Sequence, residues 1–388
     1  MNSAGDLAAG LAALDGGKAA EARTILTNYV ANRPDDARAF LGIARACRAL
    51  RDDDGATAAI DRLLQIEPYN LYGLIYKADY FAARGDGRSA SSHYGLALRS
   101  APKDQPLPPD LQRELGRAQE MCARYAKEFE AHLLARMAAS GYDAGASSRR
   151  FSRSVDMVLG RKKPYVQQPL FYYFPELPQI QFYEREQFPW LAELERATPQ
   201  IREELLEVLQ DPGAFVPYVQ GDPNRPRTGQ AGLLNNPNWS AFYLWKNGEI
   251  VAENAARCPN TMRALQAVPL NQVPKRSPSV IFSLLRPRIR IPPHHGFVNT
   301  RLICHLPLIV PPGCGFRVGN DVREWVEGKA WLFDDTIEHE AWNDSDQTRV
   351  ILLLDIWRPE LTAEERQLVT SLFTGIDAYG GVTRDWTM

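Results

Sequence analysis

Small and apolar positions return at a fixed interval over the first hundred residues. Pro34, Pro68 and Pro102 stand 34 residues apart, as do Ala22, Ala56 and Ala90, and the small residues Gly10, Ala44 and Ala78. Leu26, Ile60 and Tyr94 follow the alanines by four. A small residue at a crossing lets two helices approach, and proline ends the second of them. Each period therefore predicts one helix–turn–helix unit, and stacked units bury a continuous core. The pattern breaks at PKDQPLPPD. LQRELGRAQEMCARYAKEFEAHLLARMAAS then predicts one or two capping helices, and GYDAGASSRRFSRSVDMVLGRKKP a basic linker with one short helix. From about Pro169 the texture changes to short apolar or alternating runs. SAFYLWKNG, SVIFSLLRPRIRI, TRLICHLPLIV, GFRVG, KAWLFDD and RVILLLDIW predict strands. FPWLAELERATPQIREELLEVLQ and ENAARCPNTMRALQAV predict helices packed outside them.

The 34-residue period resembles the tetratricopeptide repeat, whose arrays usually hold a peptide or partner protein. It departs from that pattern in lacking a large aromatic early in the first repeat and in placing Lys77 at a usually apolar position. Closely spaced strands suggest a sandwich or jelly roll of the cupin type. The expected class is α+β and multidomain. A tetratricopeptide-like helical domain would span 1–135, a linker 136–165 and a β-domain 166–388.

Composition narrows the function. The 388 residues carry a formal charge of −2, so no bulk field draws the chain to nucleic acid or an anionic surface. Five scattered cysteines form no CxxC pair, which fits a reducing, cytoplasmic setting rather than a disulfide framework or a cysteine zinc site. The N-terminus does not read as a signal peptide, and no apolar run has the length of a membrane span.

The candidate chemistry lies in RIRIPPHHGFVNTRLICHLPL and beyond. In a strand, residues two apart share a face. Arg301, Ile303 and His305 should point together, as should Ser283 with Leu285 and His294 with Gly296, while His295 and Cys304 face away. His339 follows FDDTIE, and Arg349 opens a nearly continuous apolar strand ten residues later. Arg286, Arg288 and Arg290 would form a solvated stripe on one strand face, and Trp239 would be core.

FSLLRPRIRIPPHHGFVNTRLICHL, GKAWLFDDTIEHEAWND and RVILLLDIWRPELT resemble the aspartyl/asparaginyl β-hydroxylase family, over about Trp239 to Leu361. The resemblance implies a double-stranded β-helix that uses Fe(II), 2-oxoglutarate and O2. His294 and His339 would bind iron, with Gly296 in the slot where related oxygenases carry a carboxylate. Ser283 and Arg349 would hold the far carboxylate of 2-oxoglutarate, His305 the near one, and Arg301 would lie close to substrate or co-substrate. Asp334 or Asp335 would hydrogen-bond a ligand ring, and His295 would lie behind the ligands or in the pocket wall. Ile303 stands where a family enzyme has a second arginine, which puts a shared substrate in doubt.

By that resemblance the expected reaction is β-hydroxylation of Asp or Asn in a peptide or protein, which the repeats would present. The alternatives are hydroxylation of a small amino-acid-like or lipid substrate, halogenation (Gly296 leaves room for chloride), and a repeat scaffold with an inactive β-domain.

Overall fold

Each sequence repeat folds as a helical hairpin. The first is α1 (Ser3–Asp15) with α2 (Ala19–Asn32), the second α3 (Ala37–Ala49) with α4 (Asp53–Ile66), and the third α5 (Leu71–Ala83) with α6 (Gly87–Ser100). The caps repeat with the period. The side chains of Asp36, Asp52, Asn70 and Asp86 accept the backbone N–H of Arg38, Gly55, Gly73 and Ser89, closing orphan donors at four helix starts. Ala22, Ala56 and Ala90 are buried beneath Leu26, Ile60 and Tyr94. At Gly10 an added Cβ would lie 2.6 Å from the Leu26 side chain, which would have to shift to admit it. Lys77 is accommodated by an ion pair to Asp61 at 2.6 Å and by the ring of Tyr80. The capping segment is one long helix, α7 (Pro109–Ala139), and the basic stretch carries α8 (Arg149–Val158).

The computed structural model describes residues 3–220 and 234–380, and the chain divides into two units, Met1–Arg161 and Lys162–Met388. The second unit begins with α9 (Leu191–Arg196) and α10 (Thr198–Val208), followed by β1 (Val216–Pro217), β2 (Trp239–Lys246) and β3 (Glu249–Ile250). Next come α11 (Ala252–Arg257) and α12 (Pro259–Ala264). The expected outer helices are thus each broken in two, the second where Pro259 cannot continue the helix through Cys258. The main strands are β4 (Val280–Leu285), β5 (Ile289–His294), β6 (Arg301–Ile309), β7 (Cys314–Val318), β8 (Asp321–Arg323), β9 (Trp331–Phe333), β10 (His339–Asn343) and β11 (Arg349–Trp357). A final helix, α13 (Ala363–Gly380), was not foreseen; its Val369 and Phe373 pack under Phe171 and Tyr172.

The strands form two antiparallel sheets. The larger has the order β1-β2-β4-β11-β6-β9, with β3 added on β2, and the smaller β5-β10-β7-β8. SVIFSLLRPRIRI is therefore not one strand. The chain turns at Arg286–Arg288, with Arg288 at φ 61°, and crosses from one sheet to the other. The proposed arginine stripe goes with it: Arg288 pairs with Asp346 from the turn and Arg290 with Asp344 from β5, both exposed.

Alternation assigns the two faces of the larger sheet. Phe282, Leu284, Leu302, Cys304, Leu352 and Leu354 pack outward with Leu194, Ile201 and Leu205 of the covering helices. Their neighbours Ser283, Arg301, Ile303, His305, Arg349 and Leu353 face the space between the sheets. β11 is buried on both faces, which is why VILLLDIW reads as an unbroken apolar run.

Candidate active site

Between the sheets lies a cavity built from the inward positions of β4, β5, β6, β10 and β11. His294 closes β5 and His339 opens β10, and the ladder pairs them directly. Their ring centroids are 4.0 Å apart. β5 is an edge strand, so Pro292 and Pro293 cost it no ladder bond on its outer side. His294 Nδ1 meets the carbonyl of Pro292 at 2.8 Å, and His339 Nδ1 that of Ile337 at 3.1 Å. A carbonyl only accepts, so both Nδ1 atoms carry the proton and both Nε2 atoms keep a lone pair. Burial lowers the pKa of His294 and holds that of His339 well below the ordinary histidine value, so both rings are neutral near pH 7. The expected carboxylate partners for these rings are absent: backbone carbonyls do that work.

Asp334 and Asp335 have other tasks. Asp334 pairs with the buried Arg358 at 2.8 Å. Asp335 packs against Gly296, where any Cβ would run into its carboxylate oxygens, and its backbone carbonyl accepts the Gly296 N–H at 2.6 Å. Glycine is thus required by the Asp335 side chain. Burial outweighs the neighbouring Arg301 and pushes the Asp335 carboxyl up to about 6. His295 also lines the cavity, because β5 ends at His294 and alternation stops there.

At one end of the cavity stand Ser283, His305 and Arg349. Arg349 is 2% exposed, and among the described residues no acid pairs with its guanidinium; Nε lacks any partner. Burial pushes its pKa down to about 10, so it remains cationic near neutrality. Its charge lies 5.5 Å from the Trp325 ring, on which His305 also stacks. Burial and Arg349 together keep His305 neutral, and its Nδ1 is unpartnered. Trp239 is more than core: its Nε1 donates to Ser283 Oγ at 3.3 Å, leaving the serine proton free for a ligand. A buried, unneutralised guanidinium beside a hydroxyl and a neutral imidazole is a receptor for a carboxylate.

Arg301 lines the cavity on the face expected, but its charge is already engaged. It bonds Asp335 at 3.2 Å and Asp355 at 3.1 Å. Several wall residues escaped the sequence reading, among them Tyr218, Ile291, Phe297, Phe316, Ile351 and Leu353. Only the alternation of β11 signalled Ile351 and Leu353, as inward neighbours of Arg349. Among the described residues no three or more His, Cys, Asp or Glu are arranged to hold a metal.

Comparison with known proteins places this cavity. The model of the aspartyl/asparaginyl beta-hydroxylase family matches residues 195–359. That match lies within the C-terminal unit and takes in every strand of the cavity from β2 to β11. The chain is 38% identical over 180 residues to the ornithine lipid ester-linked acyl 2-hydroxylase of Rhizobium tropici, covering 46% of this chain and 60% of that one. It is 36% identical over 182 residues to the human aspartyl/asparaginyl beta-hydroxylase, covering 46% of this chain and 22% of that one. It is 32% identical over 214 residues to the human aspartate beta-hydroxylase domain-containing protein 2, covering 54% and 56%. The chain thus spans less than two thirds of these relatives. Among solved structures, the type III secretion translocator chaperone SycD of Yersinia enterocolitica matches with a TM-score of 0.29 and 17% identity, covering 32% of this chain and 83% of that one. The first TPR domain of human RPAP3 matches with a TM-score of 0.27 and 15% identity, covering 32% and 95%. Among the described residues no helix is long and apolar enough to cross a membrane.

Proposed function

We propose that this chain is an Fe(II)- and 2-oxoglutarate-dependent hydroxylase acting at the His294–His339 pair. The observation that carries the reading is the matched pair of neutral rings, each with Nδ1 tied to a carbonyl and Nε2 free. Two imidazole nitrogens suit iron, and an open remainder of the coordination sphere suits a chelating co-substrate and oxygen. The other end fits the co-substrate's far carboxylate, since among the described residues Arg349 Nε has no partner and no acid pairs with the guanidinium. The bound metal and 2-oxoglutarate would supply the oxidation: O2 and 2-oxoglutarate become succinate and CO2 as one oxygen atom enters a substrate C–H bond as hydroxyl.

The chain's own residues supply position and exclusion of water. The Pro292 and Ile337 carbonyls fix the two rings in one tautomer. Trp239 turns the Ser283 proton toward the carboxylate, and Trp325 covers His305 and Arg349. Gly296 and Asp335 leave no protein carboxylate as a third ligand from position 296.

By family precedent the substrate position is the β-carbon of Asp or Asn in a peptide or protein, presented by the helical repeats. The Rhizobium relative supports a second reading, hydroxylation of an acyl or other small substrate. Purified protein with Fe(II), ascorbate and 2-oxoglutarate should release succinate, and His294→Ala and His339→Ala should abolish it. An intact fold that neither binds iron nor releases succinate would leave only a scaffold.

A further inference from the structure

We infer that Trp325 sets the length of dicarboxylate the cavity accepts, by holding the Arg349 guanidinium at a fixed reach from the histidine pair. This rests on the hydroxylase reading above and adds a positioning residue for its co-substrate. Arg349 and His305 line the cavity, whereas Trp325 stands against both and does not line it. The half-buried indole therefore lies behind them and closes that end of the space between the sheets. Arg349 is held by little else. Among the described residues no acid pairs with it, and its Nε has no partner. What meets its charge is the Trp325 ring, 5.5 Å away, a cation–π contact.

Trp325 is itself fixed. Its ring lies 4.3 Å from that of Trp331 and 5.7 Å from that of Phe316, and it stacks on His305 at 5.8 Å. Its Nε1 has no partner among the described residues, so packing holds it. The segment that carries it, between β8 and β9, is tied to the end of β6. The Glu327 carboxylate accepts the Val310 N–H at 2.9 Å, and the Gly328 N–H reaches the Pro307 carbonyl at 2.9 Å. The consequence is a ruler. A dicarboxylic 2-oxo acid would place its far carboxylate on Arg349 and its keto-acid end at the histidine pair. With the indole in place Arg349 cannot retreat, and a chain one methylene longer must kink or give up one end. A small side chain at position 325 opens the space behind Arg349. The flexible arginine stem can then withdraw into it, and the reach fits the longer acid.

The test uses the full chain loaded with Zn(II), which has no redox chemistry to consume the ligand. Calorimetry compares 2-oxoglutarate with 2-oxoadipate, one methylene longer. The parent should prefer the shorter acid by about tenfold or more, and Trp325→Ala should bring the two affinities to within about threefold, since a single methylene is worth about that discrimination in a shaped site. Trp325→Phe keeps a ring and should restore most of the preference, which a merely loosened fold would not do. Val326→Ala, at the exposed neighbour on the same segment, should leave the ratio of the parent. If Trp325→Ala does not fold, Trp325→Leu serves with the same expectation. A parent without the preference, a ratio unchanged by the smaller side chain, or an equal loss of both acids overturns the inference. Succinate release by the iron-loaded parent is measured separately. Its absence beside a length preference that moves with residue 325 would sink the hydroxylase reading alone. Its presence beside a ratio indifferent to residue 325 would sink this inference alone. A Zn(II)-treated parent that binds neither acid sinks both.

Discussion

Across the β5–β10 ladder His294 and His339 repeat one another's geometry: each ring gives its Nδ1 proton to the carbonyl two residues earlier, Pro292 and Ile337. The backbone alone thus sets the orientation of both rings. His294→Gln and His339→Gln should each lose retained iron while keeping the far-ultraviolet dichroism of the parent, because neither ring holds a buried ion pair. Metal content after desalting checks this. Retention of a full equivalent by either variant would place the iron elsewhere.

Gly296 tests why a third carboxylate is missing. Its absent side chain makes room for the Asp335 carboxyl. Gly296→Ala should destabilise the chain by about 1–3 kcal/mol, the usual cost of overpacking. Gly296→Asp, which restores the usual ligand, should do worse. Gly296→Asp combined with Asp335→Gly should recover part of the loss, and thermal melting of the four proteins reads it. Equal losses in the single and double variants would show that the two positions do not compete for one space.

Arg349 separates function from stability. A buried cation without an anion costs the ligand-free fold, so its removal should stabilise that fold. Arg349→Met should raise the melting temperature of the ligand-free protein and raise the KM for 2-oxoglutarate at least about tenfold. Arg349→Lys keeps the charge but loses the planar fork, and should fall between. A destabilised Arg349→Met variant with an unchanged KM would show that the guanidinium has a protein partner and no role toward the co-substrate.

The pH dependence follows from the neutral imidazoles. His305 and His339 have folded pKa values well below the ordinary 6.5. The unfolded chain therefore binds more protons just below pH 6.5, and the stability these rings contribute is present above that pH and lost as it falls toward their folded values. Each contributes a slope of up to about 1.4 kcal/mol per pH unit. Asp335 runs the other way. Its carboxyl, pushed up to about 6 from 3.8, holds its proton more tightly when folded and adds stability as pH falls between those values. The difference between two proteins isolates one term. Metal-free His305→Gln should lose stability less steeply than the parent between pH 6.5 and 5. Parallel slopes in urea titrations would mean that His305 is charged when folded.

The parts of the fold that were legible are those written in local periodicity. The recurring alanines and prolines of α1 to α6 sit one period apart, and alternation put Ser283, Arg301, Ile303 and His305 on the cavity side of their strands. What failed depended on where strands end. Arg288 adopts a left-handed turn conformation that an arginine does not advertise, so a two-sheet crossover read as one strand. His295 lies just past β5, where alternation no longer applies; it does stand in the pocket wall, as the family resemblance implied, although alternation turned it away. The pairing of Arg301 with Asp355, 54 residues away, is a matter of register between β6 and β11, which neither strand encodes alone.

Arg358 shows how the core supports the site. It is fully buried, as is its partner Asp334, and its guanidinium also donates to the carbonyls of Asn299 and Pro178 and to Tyr183. Asp334 in turn accepts from the backbone and hydroxyl of Thr336 and from Gln167. That cluster pins the turn from Asp334 to Ile337, whose last carbonyl holds the His339 ring. Arg358→Met would strand a buried carboxylate, at a cost of about 3–5 kcal/mol. Pairing it with Asp334→Leu removes the stranded charge and should recover much of the stability, since apolar replacement of a buried pair is often neutral. The turn would still lose its Asp334 bonds to Thr336, so the double variant should remain poor at retaining iron. Urea unfolding and metal content, measured on the same samples, test the two halves. A double variant that recovers stability and iron together would show that the ion pair serves the core alone.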